Sequence, residues 1–253
     1  MSVHFELKNS IGIVTLDRPG KLNALDIGAF RQIDEIVRRA NEELLCRGLI
    51  FAAAPGRAFS AGADINDLCG MTPEEATERA TYRRGVFHNI SVARIPSIAV
   101  VDGLAMGGGV ELALACTFRL ATNSAEFSMP EIKLGLLPGA GATQRLPRLV
   151  GLSRALDMML TARKVGAKEA LQIGLVDRIV EQPVDEALAF AALWVRFSRT
   201  AISGIITAGG YSELPLEDGL AKEGAELAKL STSPDGIEGV AAFLEKRPPV
   251  FNR

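Results

Sequence analysis

Short, largely apolar runs recur along the first part of this chain, with helical patterns standing between them. Ile11 to Leu16, Gly48 to Ala53 and Ser97 to Val101 hold β-branched and small apolar residues with little polar alternation. Runs of that kind predict strands buried on both faces. Arg119 to Thr122 reads as the next strand. From an N-cap at Asp26, the residues Ile27, Phe30, Ile33, Val37, Ala40 and Leu44 fall three or four apart and predict a helix with one buried face. Thr72, Pro73, Glu74 and Glu75 predict a second helix, opened by an N-cap and a first-turn proline. A short third helix, Val110 to Cys116, follows three glycines. Strands alternating with helices over residues 1–180 predict right-handed crossovers, a parallel sheet and an α/β fold. After Val180 helix follows helix, and no linker or low-complexity tract intervenes. Residues 181–253 therefore read as a helical extension of the core, not an independent domain.

Composition removes several functions. The 253 residues are 48% apolar and 23% charged, an ordinary globular balance. Lys and Arg number 28 against 30 Asp and Glu, so there is no basic excess to track a nucleic acid backbone. The apolar stretch from Ile95 to Leu120 is broken by Asp102, Glu111 and Arg119, which argues against a membrane span. The start, MSVHFELKNS, lacks the pattern of a signal peptide. Cys46, Cys69 and Cys116 show no pairing pattern and read as reduced thiols, so the expected location is the cytoplasm. With only His4 and His88 present, a His-based metal site or a Ser-His-Asp triad has little to draw on, and no metal is expected.

Three stretches carry candidate chemistry. Ala58 to Ile65 places small residues directly after a buried strand, where a ligand can approach backbone N–H groups. Gly107 to Gly109 open a helix, whose free N–H groups favour negative charge. This is not the GxGxxG of a dinucleotide site. Glu111 lies just inside that helix among apolar neighbours, and Glu131 lies in an irregular, glycine-rich loop. Two N–H clusters would stabilise an oxyanion, and paired carboxyls in apolar surroundings would move protons. The combination suits chemistry at the α and β carbons of a carbonyl compound through an enolate-like intermediate.

Five motifs then carry a family resemblance: LDRPGKLNAL, AFSAGADI, AVVDGLAMGGGVELALACTFRLAT, FSMPEIKLGLLPGAGATQRLPRLVG and AAFLEKRPPVF. By them the chain resembles the enoyl-CoA hydratase/isomerase superfamily, the crotonases, nearly end to end. The resemblance implies a spiral of repeated ββα units with a C-terminal helical region for trimerisation, usually a dimer of trimers. It implies an oxyanion hole made by the N–H groups of Ala63 and Gly108, acid/base work by Glu111 and Glu131, and help from the Gly139 N–H in holding the reacting water. It places Lys21, Leu22, Ala61, Asp64 and Ile65 along the CoA path, and Phe243 and Lys246 against the CoA of a neighbouring subunit. Coenzyme A would be part of the substrate, and no separate cofactor is expected.

Two departures are visible. Asn66 stands where many hydratases have lysine near the CoA, and Met129 stands where other members carry a polar residue, which predicts a more apolar pocket wall. The leading expectation is a hydro-lyase that adds water reversibly, in syn fashion, to a trans-2-enoyl-CoA, as in fatty acid β-oxidation. The alternatives are a double-bond isomerase, a specialised hydratase of a branched, aromatic or carnitine-type acyl-CoA, and a non-catalytic acyl-CoA- or RNA-binding scaffold. Two retained glutamates favour hydration. The helix from about Met71 to Arg94 is expected at the far end of the pocket but has no motif that names the acyl group. Tyr82 and His88 within it read as structural or exposed.

Overall fold

The computed structural model describes residues 2–43 and 46–251. The chain opens with β1 (Val3–Lys8), β2 (Ile11–Leu16) and α1 (Ile27–Glu42). Repeated ββα turns follow: β3 (Leu49–Ala53), β4 (Ala58–Ser60) and α2 (Pro73–Ser91), then β5 (Ser97–Val101), β6 (Leu104–Met106) and α3 (Gly108–Ala115), then β7 (Phe118–Ala121), β8 (Glu126–Ser128) and α4 (Ala142–Val150). Next come α5 (Leu152–Thr161), β9 (Val165–Gly166), α6 (Ala167–Gln172) and β10 (Arg178–Ile179). Four further helices complete the order: α7 (Pro183–Val195), α8 (Arg199–Gly210), α9 (Leu216–Ser231) and α10 (Pro234–Leu244).

Each turn of the spiral contributes one strand to each of two sheets. The larger runs β1-β2-β3-β5-β7-β10, parallel except for the β1–β2 hairpin. The smaller runs β4-β6-β8-β9, with only β8–β9 antiparallel. Both faces of the larger sheet are covered. Val14, Leu16, Phe51, Ala99 and Val101 join the main core with α1, α2 and α3. Ile50, Ala52, Ile98, Val100 and Leu120 face the other way, against α7. Burial on both faces is why these strands carry largely apolar runs.

The helix starts follow the sequence signals. The Asp26 side chain accepts from Ala29 N at 2.7 Å, and Thr72 and Glu75 form a reciprocal capping box. Leu44, the last of the predicted α1 stripe, lies outside the described residues. The smaller sheet is the main departure. Ala58 to Ser60 is a strand, β4, and only the residues after it form the loop. Each of its strands is two or three residues long, too short to show a period.

The last helices differ from α7. α8, α9 and α10 pack mainly on one another. α9 buries none of its residues, and Leu216, Leu227, Val240 and Phe243 are exposed. No single described helix is long and apolar enough to cross a membrane.

Candidate active site

The site begins with the segment from Arg18 to Asp26. Asn23 is buried in a left-handed conformation, with φ of 53°. Its Nδ2 donates to Ala58 O at 2.8 Å, and its Oδ1 accepts from Arg18 N at 2.7 Å. Ser60 Oγ returns a bond to Asn23 O at 2.8 Å. The loop after β4 is then held by backbone bonds: Ala61 N to Leu22 O at 2.8 Å, Leu25 N to Gly62 O at 2.7 Å and Asp64 N to Leu25 O at 3.0 Å. Arg18 adds contacts to Asp26 at 2.9 Å and to Asp64 at 3.4 Å. The early motif thus fixes a loop some forty residues later in the chain.

In that anchored loop the Ala63 N–H donates to no group among the described residues. The same holds for the Gly108 N–H, which is in the first turn of α3, where helical N–H groups have no intrahelical acceptor. The two lie close together. A Cβ added to Gly108 would come within 3.1 Å of Ala63 N, and one on Gly62 within 2.9 Å of Gly108 N. Gly62, with φ of +92°, permits the turn that aims the first N–H. Gly107 has φ of +48°, and a Cβ there would come within 2.5 Å of a Glu131 carboxyl oxygen. A side chain at Gly107 would therefore displace Glu131.

Glu111, in the first turn of α3, is 3% exposed. Its Oε1 accepts from Ala140 N at 2.7 Å and from Ala142 N at 3.1 Å. Desolvation pushes its pKa up, while these N–H groups and the nearby Arg145 charge pull it back. Arg145 also ties the loop down through Ala140 O at 3.1 Å. Glu131, in the helical turn Pro130–Leu134, is half-buried, and its Oε2 is without a hydrogen-bond partner. Desolvation, with the Glu111 charge adding, pushes the Glu131 carboxyl up to about 7.

These groups converge on one cleft of about 330 Å³. Ala61, Ala63, Ile65, Gly108, Glu111, Glu131 and Gly139 all line it. So do Phe30, Met71, Leu134 and Leu137, which form an apolar wall. α2 contributes Ala76, Arg79, Ala80 and Arg83, which places the Met71–Arg94 region at the pocket as expected, while Tyr82 and His88 do not line it. Among the described residues no group of three or more His, Cys, Asp or Glu is placed to hold a metal ion.

Other expected residues stand elsewhere. Leu22 reaches the loop through its backbone carbonyl, and Lys21 is exposed nearby, but neither lines the cleft. Asp64 instead caps the short helix Ile65–Leu68 and accepts from Asn66 N at 3.1 Å. Asn66 is exposed and its side chain turns back to Asp64 at 2.9 Å. Phe243, on α10, and Lys246, just after it, are exposed and are not cleft residues of this chain. The expectation for Met129 needs correction: it is fully buried in the main core and does not line the cleft. Sequence reasoning missed Ala140 and Ala142 as the holders of Glu111. The first N–H groups of any helix are free, here those of α4, but no local pattern says which side chain they meet.

The comparisons fit this geometry. The family model for enoyl-CoA hydratase/isomerase matches residues 6–253. The chain belongs to that family. Among curated members it is 39% identical to a probable enoyl-CoA hydratase of Rhizobium meliloti (strain 1021), covering 97% of this chain and 96% of that relative. It is 32% identical to a short-chain-enoyl-CoA hydratase of Clostridium acetobutylicum, covering 97% and 95% respectively. The solved enoyl-CoA hydratase of Bacillus anthracis superposes with a TM-score of 0.93 at 32% identity, over 99% of each chain. The spiral of this enoyl-CoA hydratase/isomerase family member therefore has the same architecture as a solved hydratase.

Proposed function

We propose that this chain is an enoyl-CoA hydratase, adding water reversibly across the C2=C3 bond of a trans-2-enoyl-CoA to give a 3-hydroxyacyl-CoA. The observation that carries the reading is the convergence on one cleft of two unpaired N–H groups and two desolvated carboxyls, one held by backbone N–H groups and the other with an unpartnered oxygen. The thioester oxygen is taken by the Ala63 and Gly108 N–H groups, which stabilise the enolate as it forms. Glu111, its carboxylate held by the Ala140 and Ala142 N–H groups, accepts a proton from water as the oxygen attacks C3. Glu131, which desolvation lets hold its proton up to about pH 7, delivers it to C2 as the enolate collapses. The Gly139 N–H steadies the water between them. The proton on Glu111 then returns to Glu131 directly or through solvent, which resets the pair.

Coenzyme A enters as the handle of the substrate, along Lys21, Leu22, Ala61, Asp64 and Ile65. The exposed apolar surface of α8 to α10 is large for a free monomer. It supports a homotrimer, or a dimer of trimers, in which Phe243 and Lys246 reach a neighbour's CoA. The test is loss of the conjugated-enoyl absorbance with a panel of enoyl-CoAs, for the wild type and Glu111→Gln. Hydration by the wild type and its loss in a folded Glu111→Gln protein are expected. A Glu111→Gln protein that still hydrates would remove Glu111 as the base, and a wild type that shifts the double bond without adding water would overturn the hydratase reading in favour of the isomerase. A monomer in sedimentation at micromolar concentration would overturn the assembly.

A further inference from the structure

Arg83 has no role in the hydration chemistry, yet it lines the cleft. It lies on α2, one turn after Arg79, another cleft residue. It is 8% exposed, and its Nε and Nη2 are buried without a hydrogen-bond acceptor. Asp67, its ion-pair partner, stands 3.6 Å away, beyond hydrogen-bond reach, and already accepts from Ile27 N at 3.0 Å. Behind the guanidinium is the Phe30 ring, with its centroid 5.5 Å away. A guanidinium keeps its charge when buried, so leaving its donors unmet in an apolar setting is costly.

We infer that this end of the cleft is built for a carboxylate, and that the preferred substrate is a short enoyl-CoA whose acyl chain ends in one. The inference rests on the hydratase reading and adds its substrate class. A carboxylate is planar and takes two parallel N–H bonds from a guanidinium fork, which one hydroxyl or ketone oxygen cannot do. The phosphates of CoA are a poor alternative, because Arg83 is nine-tenths buried against Phe30 and only the thin end of a ligand reaches it. A plain alkyl end would leave the fork unmet, and sites with unmet polar groups discriminate strongly against such ligands.

The experiment compares pairs of trans-2-enoyl-CoAs of equal chain length, one ending in methyl and one in carboxylate, across a series of short chains. At the best length the wild type should favour the carboxylated member by about 30-fold or more in kcat/KM. Arg83→Met should lose about 100-fold on that member, mostly through KM, and at least tenfold more than it loses on the neutral one; Arg83→Lys should recover part of the loss. Should Arg83→Met fail to fold, judged by circular dichroism, the wild-type preference together with Arg83→Lys decides. Equal or better hydration of the neutral member at every length, or equal losses on both in Arg83→Met, would make Arg83 a structural partner of Asp67 and overturn the inference while hydration stands. Hydration of neither member would overturn the hydratase reading and this one with it.

Discussion

Glu131→Gln should stabilise the protein at high pH while disabling it. The Glu131 carboxyl is raised from 4.5 to about 7 in the folded chain. Below pH 4 it is protonated whether folded or unfolded, and it contributes nothing to the pH dependence. As pH rises from there to 7, the unfolded chain releases the proton and the folded chain holds it, so folding becomes less favourable. Each pKa unit corresponds to about 1.4 kcal/mol. A shift from 4.5 to about 7 sets a ceiling of ~3.4 kcal/mol. Glu131 is only half-buried, so screening by solvent brings the cost nearer ~1.5 kcal/mol. Glutamine cannot ionise, so the variant should match the wild type near pH 4 and exceed it by ~1.5 kcal/mol above pH 7, or roughly 3 to 6 °C in Tm for a chain of this size. Thermal melts of both proteins without substrate, at one protein concentration and from pH 4 to 8.5, measure this. Hydration should meanwhile fall by about 100- to 10,000-fold. A Tm difference independent of pH, or a wild type more stable at pH 8, would refute the account of Glu131 as a desolvated acid.

Further expectations follow from the same geometry. Glu111→Gln removes the negative charge that helps raise Glu131, so the Glu131 pKa should fall, and melts of Glu111→Gln against the double Gln variant should show a smaller pH-dependent gain that is complete at lower pH. The activity losses of Glu111→Gln and Glu131→Gln should not add in that double variant, because both act on one water; additive losses in steady-state kinetics would contradict this. Gly108→Pro removes one N–H and sets a Cβ about 3.1 Å from Ala63 N, crowding the second donor, and should cost on the order of 100-fold or more in kcat, with circular dichroism checking that the fold is kept. Asn23→Ala breaks the bonds to Ala58 O and Arg18 N and should destabilise the protein by ~2 kcal/mol, with kcat falling more than KM rises, read by urea unfolding and kinetics.

The parallel α/β core was legible because strands buried on both faces must be largely apolar, as Ile98 to Val101 are, and because capped helices announce their starts, as Asp26 and Thr72 do. Glu111 and Glu131 stood out as carboxyls in apolar, glycine-rich surroundings, and the family motifs named the two N–H groups. Other features depended on partners distant in the chain. β4, β6 and β8 are three residues each, and they are strands only because each finds its neighbour in the next turn of the spiral. That Asn23 anchors the loop holding Ala63, and that Ala140 and Ala142 hold Glu111, follows from contacts spanning some thirty residues or more, and no local pattern records them. Local propensity and period are properties of the chain alone. The raised pKa values of the two glutamates, and the unmet donors of Arg83, exist only once folding has removed water and set which groups face each other.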